Sequence, residues 1–156
     1  MAYVQGTSGN DDLPPVAGQQ NTMEGFDGND TLSGGEYSDV LIGGEGDDLL
    51  IGNGGADIFV ITAAEHPNSA DYSFTATDHD TIADFDINSG DVIRLPFANT
   101  ASSFEAHDVQ LNQVGDDAVI TFSGQKAGGY HYAYENTVTI VGVNVDDLSL
   151  NDFAFS

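Results

Sequence analysis

The chain has 156 residues, enough for one ordinary domain or one elongated module with a cap. Lys and Arg number 2 and Asp and Glu number 26, a formal charge of -24 that argues against nucleic acid and anionic membrane surfaces as partners, because phosphate binding needs clustered bases. Cys is absent, which excludes disulfides, thiolate metal sites and Cys nucleophiles, and no apolar run approaches the roughly 18 residues of a membrane span.

Composition changes near residue 60. Residues 1–60 hold 13 of the 19 Gly and 11 of the 26 acidic residues, with no Lys or Arg. Both basic residues lie beyond. No Pro- or Ser-rich linker intervenes, so the sequence predicts two parts packed together, residues 1–62 and residues 63–156. The first residues carry no basic and apolar leader pattern.

The first part repeats every nine residues. From Gly25 it reads GFDGNDTLS, GGEYSDVLI, GGEGDDLLI and GNGGADIFV, ending at Val60. Residues 6–14 and 16–24 fit the same frame, with Pro15 as a single insertion. The sixth place is Asp11, Asn21, Asp30, Asp39, Asp48 and Asp57, and the eighth is Leu13, Met23, Leu32, Leu41, Leu50 and Phe59. Gly in the early places permits tight turns. The last three places are too short for a helix and rich in Leu, Ile and Val, so they read as a short strand with its middle side chain inward.

Two nonads then make one coil that buries only two large side chains. Stacking coils also stacks the sixth-place carboxylates, which repel one another unless a cation lies between them. Calcium fits that role, since it takes 6–8 oxygen ligands from carboxylates and carbonyls. Magnesium demands a tighter octahedron, and zinc prefers N and S ligands, of which this part has no His or Cys. A flexible Gly/Asp-rich linker has no reason to place an apolar residue every nine positions, and a metal-free solenoid leaves the stacked Asp unopposed.

The pattern G-G-x-G-x-D-x-U-x, clearest at Gly43 to Ile51, resembles the calcium-binding nonapeptide of the RTX (repeats-in-toxin) family. The resemblance implies an all-β fold, a right-handed parallel β-roll with ions between alternate nonads. It also implies the ligands: carbonyls of places two and four and the Asp of one turn, then carbonyls of places one and three and the Asp of the next coil. One site would use Thr7, Gly9, Asp11, Gly25, Asp27 and Asp30. A second would use Phe26, Gly28, Asp30, Gly43, Glu45 and Asp48. A third, on the opposite edge, would use Gly35, Tyr37, Asp39, Gly52, Gly54 and Asp57. Three calcium sites are expected, and a fourth, pairing the turns of Asn21 and Asp39, stays open because Asn21, Val16 and Gln19 break the pattern.

Outward strand places change along the roll, from Asp12, Pro14, Thr22, Glu24, Thr31 and Ser33 to Val40, Ile42, Leu49, Ile51, Ile58 and Val60. A solvated roll would not expose such apolar rows. The sequence therefore predicts that residues 61–156 fold back over the outer faces of the last coils and cap the open end.

In the second part, residues 80–95 read as two short strands around a turn at Asn88, Ser89 and Gly90. Residues 108–122 read as a hairpin turning at Gly115 and Asp116. Residues 130–134 and 137–143 read as two more strands, and Ser102–Ala106 as a single helical turn. The segments DTIADF, GDVIRL, GDDAVITF and DLSLNDFAF are similar to the C-terminal β-rich cap that follows RTX repeats in serralysin-type and other type I secreted proteins. That resemblance implies export by an ABC-type machinery reading a signal near residues 143–156, and an extracellular location. It also implies a terminal calcium site in which Asp80 and Asp84 close the turn of Gly44, Gly46 and Asp48. Residues 84–91 fail as an EF-hand loop, because Ser89 stands where Gly is required and Leu95 where Glu is required.

Catalytic signals are absent from the sequence. His66, His79, His107 and His131 form no HExxH pair, and no Ser lies in a nucleophile motif. The reading is a non-enzymatic calcium-binding module, folded by Ca²⁺ after export. A second reading is a carbohydrate-binding accessory module similar to the R-modules of alginate epimerases, with a glycan stacked on Tyr130, Tyr132 and Tyr134. An enzyme in its own right is the third.

Overall fold

The computed structural model describes residues 1–62, 75–95, 108–125 and 133–155. Among the described residues thirteen strands run in chain order: β1 Ala2–Gln5, β2 Asp12–Leu13, β3 Asn21–Asp27, β4 Thr31–Ser33, β5 Val40–Glu45, β6 Leu49–Ile51, β7 Ile58–Val60, β8 Thr75–Ile82, β9 Val92–Leu95, β10 Asp108–Val114, β11 Asp117–Gln125, β12 Ala133–Ile140 and β13 Phe153–Phe155. Two short 3₁₀ turns, Val145–Asp147 and Leu150–Asp152, precede β13.

The strand places of the nonads become β2 through β7, and they alternate between two sheets. One sheet has the order β1-β3-β5-β7-β9-β13, the other β10-β11-β12-β8-β6-β4-β2. Through the repeats every pairing is parallel and in register by eighteen residues, as when Thr31 lies beside Leu49 and Val40 beside Ile58. The first coil is one residue longer: Asp12 lies beside Thr31 and Ala2 beside Asn21. This is a parallel β-roll. Its eighth-place side chains point inward as the sequence predicts, with Met23, Leu32, Leu41, Leu50 and Phe59 fully buried and Leu13 nearly so. The glycine-bearing turns between them make the edges of the roll.

Strand β1 was not anticipated from the repeat. Ala2–Gln5 pairs with Asn21–Glu24, so Val4 holds an eighth place ahead of the first recognised nonad.

The roll does not stop at Val60. β8 adds to β6, with Leu50 beside Ile82, and β9 adds to β7, with Phe59 beside Ile93. Ile82 and Ile93 are fully buried and continue the row of eighth-place side chains. The same core cluster runs on through Ala118, Ile120, Phe122, Val138 and Ile140. The described strands of the second part thus lengthen both sheets of the roll. Among the described residues these added strands lie at the end of the roll. The outward residues Val40, Ile42, Leu49, Ile51, Ile58 and Val60 remain half-buried.

The strands around Asn88, Ser89 and Gly90 enter different sheets and do not pair with each other. The hairpin at Gly115 and Asp116 forms as expected, with Val114 opposite Asp117. The two strands expected around residues 130–134 and 137–143 are one strand over its described length, β12, which ends before a turn at Gly142 with positive φ. The expected helical turn at Ser102–Ala106 lies outside the described residues, as do Tyr130, Tyr132, His66, His107 and His131.

Candidate metal sites

Each coil passes from sheet to sheet through two turns, so the roll has two edges. One carries Asp11, Asp30, Asp48 and Asp80 and is called here the acidic edge. The other carries Asn21, Asp39, Asp57 and Asp91 and is called the mixed edge.

Both edges share one device. The backbone N–H of each sixth-place residue donates to Oδ1 of the sixth-place Asp one coil on. On the acidic edge the distances are 2.7 Å from Asp11 to Asp30, 2.8 Å from Asp30 to Asp48 and 3.2 Å from Asp48 to Asp80. On the mixed edge they are 2.5 Å from Asn21 to Asp39, 2.8 Å from Asp39 to Asp57 and 2.9 Å from Asp57 to Asp91. One oxygen of each carboxylate is thereby fixed along the stacking direction, and the other is left to face its own turn.

At two places on the acidic edge, Asp30 and Asp48, that second oxygen is stranded. Oδ2 of Asp30 and of Asp48 is buried with no hydrogen-bond partner, as is Oδ2 of Asp78. Burying a carboxylate oxygen without a donor or counter-charge is strongly unfavourable. The space beside it is shaped by the first-place glycines. A Cβ on Gly25 would collide with Asp30 Oδ2 and would lie 2.5 Å from the Gly43 carbonyl oxygen. A Cβ on Gly43 would collide with Asp48 Oδ2. Here, then, a carboxylate oxygen and a carbonyl oxygen from successive coils border the same small volume, which stays open because no side chain fills it. Such an all-oxygen surround suits a hard cation. Among the described residues no three His, Cys, Asp or Glu side chains converge on one point. Any such site is therefore made of carboxylates supplemented by backbone carbonyls.

Burial raises the pKa of these carboxyls. Desolvation, reinforced by neighbouring carboxylates, pushes Asp48 and Asp57 up to about 7, Asp80 to about 8 and Asp78 to about 6, and Asp30 moves in the same direction.

The expected ligands fall into place as follows. Asp11 and Asp30 stack, and the volume at Gly6 is bordered by Asp11 Oδ2 at 2.8 Å and the Gly25 carbonyl oxygen at 2.6 Å. Thr7 donates to Asp11 Oδ2 through its backbone N–H at 2.6 Å and its hydroxyl at 2.9 Å. Asp39 Oδ2 and the Gly52 carbonyl oxygen border the volume at Gly34, at 2.8 and 2.5 Å. The carbonyls of Glu45 and Gly35 already accept the N–H groups of Gly28 and Gly54 at 2.8 Å, leaving each a second lone pair. Asp27 and Tyr37 point outward and could offer only their carbonyls, while Phe26 is held at a φ of 80° that disfavours a side chain. Gly9 lies on its turn with open space around it.

The terminal site needs a correction. Asp80 does stack on Asp48, but Asp84 lies at the opposite edge, accepting the N–H groups of Gly52 at 2.8 Å and Asn53 at 2.7 Å. Asp78 takes the place expected for Asp84 and accepts the N–H of Gly46 at 2.7 Å, while the Gly44 carbonyl accepts the Thr62 hydroxyl. Asp78 and Asp91 were both missed by the sequence reading. The signal for Asp91 is the D-x-I of Asp91-Val92-Ile93, which, like Asp80-Thr81-Ile82, repeats places six to eight without the nine-residue spacing, whereas Asp78, two residues before Asp80, lies outside that pattern. His79 is exposed, its Nδ1 2.6 Å from the Thr137 hydroxyl, and belongs to no carboxylate cluster.

Residues 24–59 match the family model described as the RTX calcium-binding nonapeptide repeat, in 4 copies. These repeats are RTX repeats. The RTX roll and the segment after it are similar in structure to extracellular lipase LipA from Serratia marcescens, with TM-score 0.64, 22% identity and coverage of 99% of this chain and 21% of the lipase. The chain therefore spans about a fifth of the lipase's length. It is also similar to two subunits of the Azotobacter vinelandii mannuronan C5-epimerase. For AlgE6R3 the TM-score is 0.56 and the identity 26%, over 96% of this chain and 81% of that one. For AlgE6R2 the values are 0.60 and 22%, over 97% and 91%. No curated protein matches the chain in sequence.

Proposed function

We propose that this chain is the calcium-folded, non-catalytic module of a secreted protein. The observation that carries the reading is the pair of buried oxygens, Asp30 Oδ2 and Asp48 Oδ2, that face glycine-lined volumes and have no donor. Three sites follow: Thr7, Gly9, Asp11, Gly25, Asp27 and Asp30; Phe26, Gly28, Asp30, Gly43, Glu45 and Asp48; and Gly35, Tyr37, Asp39, Gly52, Gly54 and Asp57. Asp80, with Asp78 beside it, would close a further site over the turn of Gly44, Gly46 and Asp48.

Bound calcium supplies the positive charge that the stacked carboxylates lack. The chain's residues do the rest: the sixth-place N–H ladder sets the spacing of the carboxylates, the first-place glycines keep the volume open, and the eighth-place side chains tie both edges to one core. Because the roll is not preformed in the unfolded chain, binding free energy becomes folding free energy. A low-calcium interior would keep the chain extended for an ABC-type exporter, and a calcium-rich exterior would fold it. The export signal is assigned to residues 143–156, which include β13 at the edge of one sheet. Deleting them should abolish export while leaving calcium binding by the repeats.

Isothermal titration with calcium, and with magnesium as control, tests the reading. Saturable calcium binding by several sites is expected, with far weaker magnesium binding. Absence of calcium binding would sink it. The likeness to the two epimerase subunits, which covers most of both, favours one second reading: an accessory module of a larger carbohydrate-active enzyme. Binding of glycans that is lost when Tyr130, Tyr132 and Tyr134 are replaced would support it.

A further inference from the structure

The open question on the mixed edge is whether the turns of Asn21 and Asp39 hold an ion as the other pairs do. Asn21 is 1% exposed, so its amide must be satisfied inside the protein. Its Oδ1 accepts the backbone N–H of Val16 at 3.1 Å. That donor fixes which end of the amide is oxygen. The Nδ2 end then donates to the Gln19 carbonyl oxygen at 3.2 Å and to Asp39 Oδ1 at 3.1 Å. Gln19 holds the fourth place of its turn and Asp39 the sixth place of the next coil. These are the two kinds of oxygen that an ion between stacked turns would draw together. Asp39 Oδ2 is also satisfied, by the N–H of Gly35 at 2.5 Å. No atom of Asn21 or Asp39 is among the buried polar atoms left without a partner, whereas Asp30 and Asp48 each contribute one.

We infer that the side-chain amide of Asn21 takes the place of a metal ion, so that the Asn21–Asp39 turn pair is closed by the chain's own hydrogen bonds and binds no calcium. This rests on the calcium reading of the other turn pairs. Its physical basis is that an NH₂ group carries two polarised hydrogens that can face two oxygens at once. A carboxylate at position 21 would keep the bond from Val16 but set three oxygens against one another with no proton between them. Only a cation could then hold the pair.

The test is Asn21→Asp in the full chain, with calcium stoichiometry read by isothermal titration. The variant is expected to bind one more calcium per chain than the wild type, and to need calcium for order at this turn. A variant that folds and binds the same number as a calcium-binding wild type overturns the inference alone. A wild type that binds none overturns both this inference and the calcium reading beneath it. If the variant fails to fold, a crystal structure of the wild type grown in saturating calcium decides. An amide nitrogen between Gln19 and Asp39 supports the inference, and an ion coordinated there overturns it.

Discussion

The two edges of the roll are built from the same repeat yet solve the problem of stacked carboxylates differently. On the acidic edge Asp30, Asp48 and Asp78 each keep a buried oxygen with no donor. On the mixed edge the chain supplies donors at both ends. Asn21 caps the first pair with its amide, and Asp91 at the far end accepts from Asp57 N–H at 2.9 Å, the Ser89 hydroxyl at 2.9 Å and Asp86 N–H at 2.9 Å. The lesson is that a sixth-place acid does not by itself specify an ion. At Asp30 and Asp48 the further sign of one is a buried oxygen that the local chain cannot reach with a donor.

Asp48 should break the comparison most sharply. It stacks on Asp30 on one side and Asp80 on the other, whereas Asp11 stacks only on Asp30. Asp48→Ala removes a carboxylate from two interfaces. Losing a single metal-site group weakens affinity by at least about tenfold. The calcium midpoint in a circular dichroism titration should then rise by about 100-fold for Asp48→Ala and about tenfold for Asp11→Ala. Equal midpoints would contradict the account.

Acid should separate the metal-free and calcium-loaded states in opposite directions. Asp48 and Asp57 near 7, Asp78 near 6 and Asp80 near 8 lie above the ordinary 3.8, so between those limits the folded state holds more protons than the unfolded. Stability of the metal-free fold therefore grows as pH falls from about 8 toward 5 and is lost as pH rises back through that window. Calcium binding needs the deprotonated carboxylates, so it weakens over the same descent and releases protons. Circular dichroism in EDTA, for the order gained as pH falls, and calcium titrations across the same range, for the affinity lost, check both signs. Parallel pH trends would refute the assignment.

A smaller contrast lies within the expected ligand set. Gly43→Ala drives a methyl into Asp48 and should destabilise the calcium-loaded protein by about 1–3 kcal/mol. Gly9→Ala meets no atom within 4 Å and should change stability by less than about 0.5 kcal/mol. Chemical denaturation in saturating calcium measures both.

The smallest effect belongs to the mixed edge. Ser89→Ala removes one donor to Asp91 and should lower stability by about 0.5–1.5 kcal/mol without altering the number of calcium ions bound. A loss of one ion would show that Asp91 is a ligand, making the mixed edge more like the acidic one.

Much of this was legible in the sequence because a roll ties the period of its turns to the period of its core. Leu32, Leu41, Leu50 and Phe59 mark the inward row, and Asp30, Asp39, Asp48 and Asp57 mark the two edges. The rest was hidden where loop length varies. Leu49 pairs with Thr81 and Ile58 with Val92, separations of 32 and 34 residues in place of 18. A ladder needs only the strand and its acid in register, and the connection between them is free to lengthen at small entropic cost. A constant spacing therefore found Asp48 but could not find Asp91. The misplacement of Asp84 has the same origin: four residues beyond Asp80, it has already crossed the sheet to the other edge. The role of Asn21 was hidden for a different reason, since the reach of its amide to Gln19 and Asp39 depends on the loop that turns at Ala17 and Gly18 and brings the Val16 N–H to its Oδ1.

The central claim is that the stacked acids need calcium to stay together. Small-angle X-ray scattering of one sample, first in EDTA and then in excess calcium, tests it directly. The account predicts a radius of gyration in EDTA approaching the roughly 40 Å of an unfolded chain of this length, falling toward about 15–20 Å with calcium. A chelated sample as compact as the calcium-loaded one would contradict it.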